Sequence, residues 1–125
     1  MLRRYFDVKT KKIVGYVDKK IAYDNNIIEY AEKDIVQSTK LDIHTNKHAS
    51  DFFSIDSYHN TLININEIIK NPYYVEYDSK KDSLKYYGKV DQYVCVIVKI
   101  KEKKELYIST FYPQSKEKID KLKNK

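Results

Sequence analysis

An α+β domain is predicted, with N-terminal helices packed on an antiparallel sheet of four or more strands. Three observations predict it. Apolar residues before Asn71-Pro72 recur at helical spacing, as in Leu62, Ile65, Ile68 and Ile69. After Pro72 the period changes to two. Short polar stretches, "DSKKDS" and "KEKK", then separate runs rich in Tyr, Val and Ile, as hairpin connections do.

The elements follow in order. "RYFDVKTKKIVGYVD" reads as two short strands around a Thr-Lys turn, with Phe6 and Val8 matched by Ile13 and Val14. Residues 19–37 fit neither period cleanly and carry a turn signal at Asn25-Asn26. Thr39 is placed to cap a helix over residues 40–50, with Leu41, His44 and His48 on one face. A second helix fits "TLININEIIKNP" and stops at Asn71-Pro72, because proline disfavours a helical residue before it.

Four strand candidates follow: "YYVEYD", "LKYYGKV", "QYVCVIVKI" and "ELYISTFY". In the third, Val94, Val96, Val98 and Ile100 alternate with Tyr93, Cys95, Ile97 and Lys99. Both faces are mostly apolar, which marks a central strand. Ser115 is placed to cap a short lysine-rich helix or tail over residues 115–125. The whole reads as one domain, 1–125, whose first 39 residues hold the hairpin and a variable segment.

Composition narrows the function. The single cysteine, Cys95, lies in an apolar run, so no intramolecular disulfide is possible and a buried thiol in a reducing cytoplasm is expected. "MLRRYFDVKT" has no apolar stretch behind its basic residues, so no signal peptide is expected, and no run is long enough for a membrane helix. The net charge of +6 is uneven. Residues 99–125 hold nine lysines against four acids, whereas residues 51–98 hold five lysines and seven acids. A basic C-terminal third is the footprint of a polyanion partner, or simply a solvated helix end.

"LDIHTNKHASDF" sets His44 and His48 four residues apart. A zinc protease helix would need Glu between them, but Thr45 stands there and His59 is on a separate segment, so no metal site and no cofactor are expected. A Gly-rich phosphate loop, a nucleophile elbow and a CxxC pair are all missing. A histidine pair on a helix is otherwise surface decoration. A lysine closing an apolar strand otherwise guards an edge, and strand tyrosines otherwise pack.

Taken in order, a helix with "HxxxH", a helix ending "IIKNPYYV", a strand with "VIVKI" and a strand reading "LYISTFYPQSKEKI" form a pattern over roughly residues 40–120. It resembles the phage-associated nucleases of the barnase, EndoU, colicin and RelE fold group. The resemblance implies a metal-independent ribonuclease used as a toxin or effector by phages or mobile elements. Lys47-His48 falls on the family's basic-His position, Lys99 on its strand lysine, and Thr110 and Tyr112 on its Thr-x-Tyr. His44 stands one position away from a further family histidine, and its role stays open.

Cutting RNA without a metal needs a base for the 2′-hydroxyl proton, an acid for the leaving 5′-oxygen and a cation for the phosphorane. His48 suits proton transfer, Lys99 charge stabilisation, and Tyr112 and Thr110 hydrogen bonding to phosphate. His44, Lys47, Ser109, Lys116 and Lys118 are expected as substrate contacts. The expectation is therefore a cytoplasmic endoribonuclease leaving a 2′,3′-cyclic phosphate, with RNA as partner; for a toxin, the family resemblance alone implies a cognate inhibitor protein as well. A non-catalytic nucleic-acid-binding or protein-interaction module on the same scaffold is the rival.

Overall fold

The structure, a computed structural model, describes residues 11–101 and 105–124. Within them the order is β1 (Lys11–Tyr16), α1 (Lys19–Asp24), β2 (Asp34–Ser38), α2 (Leu41–Thr45), α3 (Ile55–Ile63), α4 (Ile65–Lys70), β3 (Tyr74–Asp78), β4 (Ser83–Lys89), β5 (Tyr93–Lys101), β6 (Glu105–Pro113) and α5 (Lys116–Lys123). Short 3-10 turns cover Ile28–Tyr30 and Asn46–Asp51.

The fold is α+β, and its six-stranded sheet runs β1-β2-β6-β5-β4-β3. All four strands expected after Pro72 form, and β5 lies centrally between β4 and β6. The turns named in the sequence use left-handed residues, Asn26 at φ 58° and Asp82 at φ 47°. Asp78 Oδ1 accepts from the Lys80 and Lys81 amides in the second of these turns.

The sheet corrects one expectation: it is mixed, not antiparallel. β2 lies parallel to β6 through Ile35↔Leu106 and Val36↔Tyr107. All of β2 but Ser38 falls inside the ambiguous stretch 19–37, because "DIVQS" has too few apolar residues to show a period. Its burial is tertiary, with Ile35 fully enclosed. The second arm of the N-terminal hairpin is β1, paired with β2; Phe6 and Val8 lie outside the described residues, as does most of "KEKK".

Val94, Val96 and Val98 face the main core with Tyr58, Ile65 and Ile68. Helix α4 sits unusually close to the sheet. A Cβ on Gly88 would lie 2.8 Å from Ile68 Cγ2, and one on Gly15 2.6 Å from Ile69 Cγ2. Neither glycine has positive φ, so both are present for the close approach of a helix and not for a turn.

The helical region departs from expectation twice. The 40–50 helix is α-helical only to Thr45 and continues as the 3-10 turn. Thr39 does not cap it; Lys40 holds the cap position without a side-chain bond. Thr45 Oγ1 turns back onto Leu41 O at 3.1 Å and meets the Tyr58 hydroxyl at 2.8 Å, and such back-bonding bends a helix. The "TLININEIIK" helix is broken at Asn64, whose amide side chain donates to Asn60 O at 2.8 Å.

Helices also occupy both sheet faces, not one. Ser115 caps α5 as expected, its Oγ accepting from Lys118 N at 3.2 Å. Ile119, fully buried, then packs on Tyr87 and Cys95 on the outer face. Lys123 holds the far end, its Nζ 4.5 Å from the Tyr73 ring centroid.

Candidate active site

The site begins with the strand that β2 leaves uncovered. Past Tyr107, β6 pairs with β5 alone among the described strands. Helix α2 and the 3-10 turn pack along that half of β6. Phe52, just after the turn, anchors it: its ring packs edge-on against Phe111 at 5.9 Å and Tyr58 at 5.5 Å. Tyr58 in turn stacks flat on Phe111 at 5.4 Å and binds Asp42 through its hydroxyl.

Phe111 points into the core, so its neighbour Tyr112 emerges on the other face. The ring of His48 lies 5.9 Å from the Tyr112 ring, tilted by 53°. In a 3-10 turn residues three apart eclipse, which brings Asp51 over His48. Asp51 Oδ2 is 3.6 Å from His48 Nδ1, longer than a hydrogen bond and an ion pair only when the imidazole carries its second proton. His48, Asp51, Tyr112 and Pro113 line one open hollow.

Register arranges the outer face in rows across β6, β5, β4 and β3. The top row is Tyr112, Cys95, Tyr87, Tyr74; the middle row is Thr110, Ile97, Lys85, Glu76; the lower row is Tyr107, Lys99, Ser83, Asp78. Lys99 is thus the diagonal neighbour of Thr110, about 7–8 Å away backbone to backbone. It stands about 13 Å along β5 from the level of Tyr112. Thr110 Oγ1 is buried and bonds no other protein atom among the described residues.

Burial beneath α5 governs the top row. It pushes the Cys95 thiol up to about 11 and raises the Tyr87 and Tyr112 phenols well above their usual range, with Cys95 adding to both. All three groups keep their protons at neutral pH. Tyr87 donates its proton to Glu76 Oε1 at 3.2 Å. Lys85 lies 3.7 Å from Asp78.

A family model described as phage-Barnase-EndoU-ColicinE5/D-RelE like nuclease3 matches residues 11–121. The chain belongs to this nuclease family. The match takes in every described strand and all but the end of α5. No curated protein and no solved structure matches the chain. Among the described residues no helix is long and apolar enough to cross a membrane.

In this family member the structure groups four of the residues singled out by sequence, His48, Tyr112, Thr110 and Lys99, on or beside one sheet face. The others stand apart. His44 is exposed at the end of α2 and does not line the hollow. It does not share a helix face with His48, because the helix changes pitch between them. Lys47 is exposed beside His48. Ser109 falls at the β6 bulge without a register partner, and Lys116 and Lys118 are exposed on α5. Sequence reasoning missed Asp51 and Lys85. Asp51 was visible at i+3 from His48, but only a 3-10 pitch makes that spacing a contact. Lys85 carried no local signal, since only cross-strand register places it level with Thr110.

Proposed function

We propose that this nuclease is a metal-independent endoribonuclease of phage or mobile-element origin, acting in the cytoplasm as a toxin or effector. The observation that supports it best is the 5.9 Å approach of the His48 and Tyr112 rings, with Thr110 two residues earlier on the same strand face. The substrate's 2′-oxygen attacks phosphorus, the bond to the 5′-oxygen breaks, and a 2′,3′-cyclic phosphate and a 5′-hydroxyl result.

His48 takes the proton of the attacking 2′-hydroxyl. Asp51 beside Nδ1 orients the ring and leaves Nε2 for the substrate. Tyr112 gives its proton to the departing 5′-oxygen. An alkoxide is more basic than a phenolate, so this transfer runs downhill. The imidazolium then reprotonates Tyr112, and one proton has moved from 2′-oxygen to 5′-oxygen. Thr110 donates to a non-bridging phosphate oxygen once RNA seating uncovers its hydroxyl, which is buried without a partner among the described residues. Lys99 supplies positive charge below it.

Attack in line with the leaving oxygen requires a splayed backbone, which favours single-stranded or looped RNA. Exposed Lys47, Lys116 and Lys118 hold flanking phosphates. A cognate inhibitor would act by covering His48. The test is incubation of the purified protein with total RNA in EDTA. Fragments ending in cyclic phosphate that disappear with His48→Ala support the reading. Intact RNA at every protein concentration overturns it and leaves a nucleic-acid or protein-binding module.

A further inference from the structure

The 3-10 turn that carries His48 has a second working side. Its three residues per turn divide it into three faces. His48 and Asp51 occupy one, Asn46 and Ala49 another, and Lys47 and Ser50 a third; the chain then turns extended at Phe52 and presents Phe53. Phe53 is 81% exposed, the most exposed large apolar side chain among those described, while its sequence neighbour Phe52 is only 6% exposed.

Phe53 is nevertheless held in place. Its backbone N–H donates to Gln92 Oε1 at 2.9 Å, and Ser57 Oγ donates to the same oxygen at 3.0 Å. Gln92 is itself buried. A buried amide reaching from the β4–β5 connection thus fixes the backbone from which an aromatic ring projects into water. Beside that ring lies an open hollow of about 510 Å³, lined also by Asn46, Ala49, Ser50, Ser54 and the exposed Ile55.

We propose that this hollow is a nucleobase subsite in which Phe53 stacks on an unpaired base next to the cleaved phosphate. The inference rests on the ribonuclease reading and deepens it. A flat exposed ring offers the face that any base can stack on, and stacking of this kind is tolerant of sequence. Asn46, with one acceptor and two donors, and the Ser50 and Ser54 hydroxyls offer hydrogen bonds to a base edge. Lys47, exposed and next to His48 in the same turn, offers a cation to a neighbouring phosphate of the strand. A docking surface for a partner protein would call for a larger continuous apolar patch than one ring and Ile55.

The probe is a single-stranded 2′-O-methyl oligoribonucleotide carrying 2-aminopurine, which cannot be cleaved because its attacking hydroxyl is blocked. Binding by the wild-type protein should quench the 2-aminopurine fluorescence. Phe53→Ala should abolish the quenching and weaken binding about tenfold, whereas Phe53→Tyr should keep both. Unchanged melting temperatures show that each variant is folded, as an exposed side chain leads one to expect. Quenching that survives Phe53→Ala overturns the subsite and leaves Phe53 as a protein contact. Cleavage of total RNA that requires His48, with no quenching by the wild-type protein, sinks the subsite but not the nuclease. Failure of both sinks both.

Discussion

His48 comes from a 3-10 turn and Tyr112 from the last strand, yet their rings meet at 5.9 Å beside the sheet face that bears Thr110. The contact exists because β2 pairs with β6 only at its beginning and leaves the rest of that strand's edge to the turn.

Removing the imidazole tests the chemistry directly. His48→Ala should lower cleavage by about 10²- to 10⁴-fold, the usual share of a general acid–base group. Affinity for a non-cleavable oligonucleotide should change only a few-fold. Asp51→Asn should cost less, about tenfold in kcat, because the ring loses its orienting charge and not its nitrogens. Equal loss of binding and cleavage in His48→Ala would count against a chemical role.

Thr110 separates stability from activity. Its buried hydroxyl has no protein partner among the described residues, and an unsatisfied buried polar group is unfavourable by about 1–3 kcal/mol. Thr110→Val should therefore leave the melting temperature unchanged or raise it, while lowering turnover of RNA. A fall in melting temperature with normal turnover would show that the hydroxyl is structural.

Gly88 tests the close packing of α4. Gly88→Ala puts a methyl group 2.8 Å from Ile68 Cγ2 and should destabilise by about 1–3 kcal/mol in urea unfolding. Because the obstructing atom belongs to a side chain, adding Ile68→Ala should make the glycine substitution much less harmful than it is alone. Independent, additive effects of the two changes would rule out the contact as the cause.

Alkali should loosen the fold. Burial lifts Cys95 from 9.0 to about 11, and burial together with Asp42 lifts Tyr58 from 10.0 to about 12. Tyr77 also rises from 10.0 to about 12, chiefly through its hydrogen bond to Asp82. Folded pKa values above unfolded ones mean the folded state holds these protons more tightly. Their contribution is complete below about pH 9 and is lost as pH climbs through 9 to 12. Thermal melts from pH 7 to 11 should be flat at first and then fall. Native Cys95 should resist alkylation at pH 8 and react once the protein is unfolded.

RNA binding should weaken steeply with salt, since each phosphate contact to single strands contributes about 0.7 to the log–log slope. Lys116→Ala with Lys118→Ala should flatten that slope without a change in base preference. Salt-independent binding would mean that the exposed lysines serve solubility only.

Local chemistry was legible in the chain itself. A period of two between polar turns marked β3 to β6, Asn71-Pro72 marked the end of α4, Ser115 marked the start of α5, and the ordered His, Lys and Thr-x-Tyr pieces pointed to the nuclease family. The element signals each lie within a few consecutive residues, where backbone sterics and side-chain period act, and the family signal is the order of such short pieces over roughly residues 40–120. What only the tertiary structure decided was long-range: β2 joining β6 in parallel, Thr45 bonding Tyr58 where the helix tightens to a 3-10 turn, and α5 closing over Cys95. Pairing and burial between distant segments leave little trace in either segment alone. The same reason explains why Asp51, Lys85 and the fixed exposure of Phe53 became visible only once the strands were in register and Gln92 had reached across to the turn.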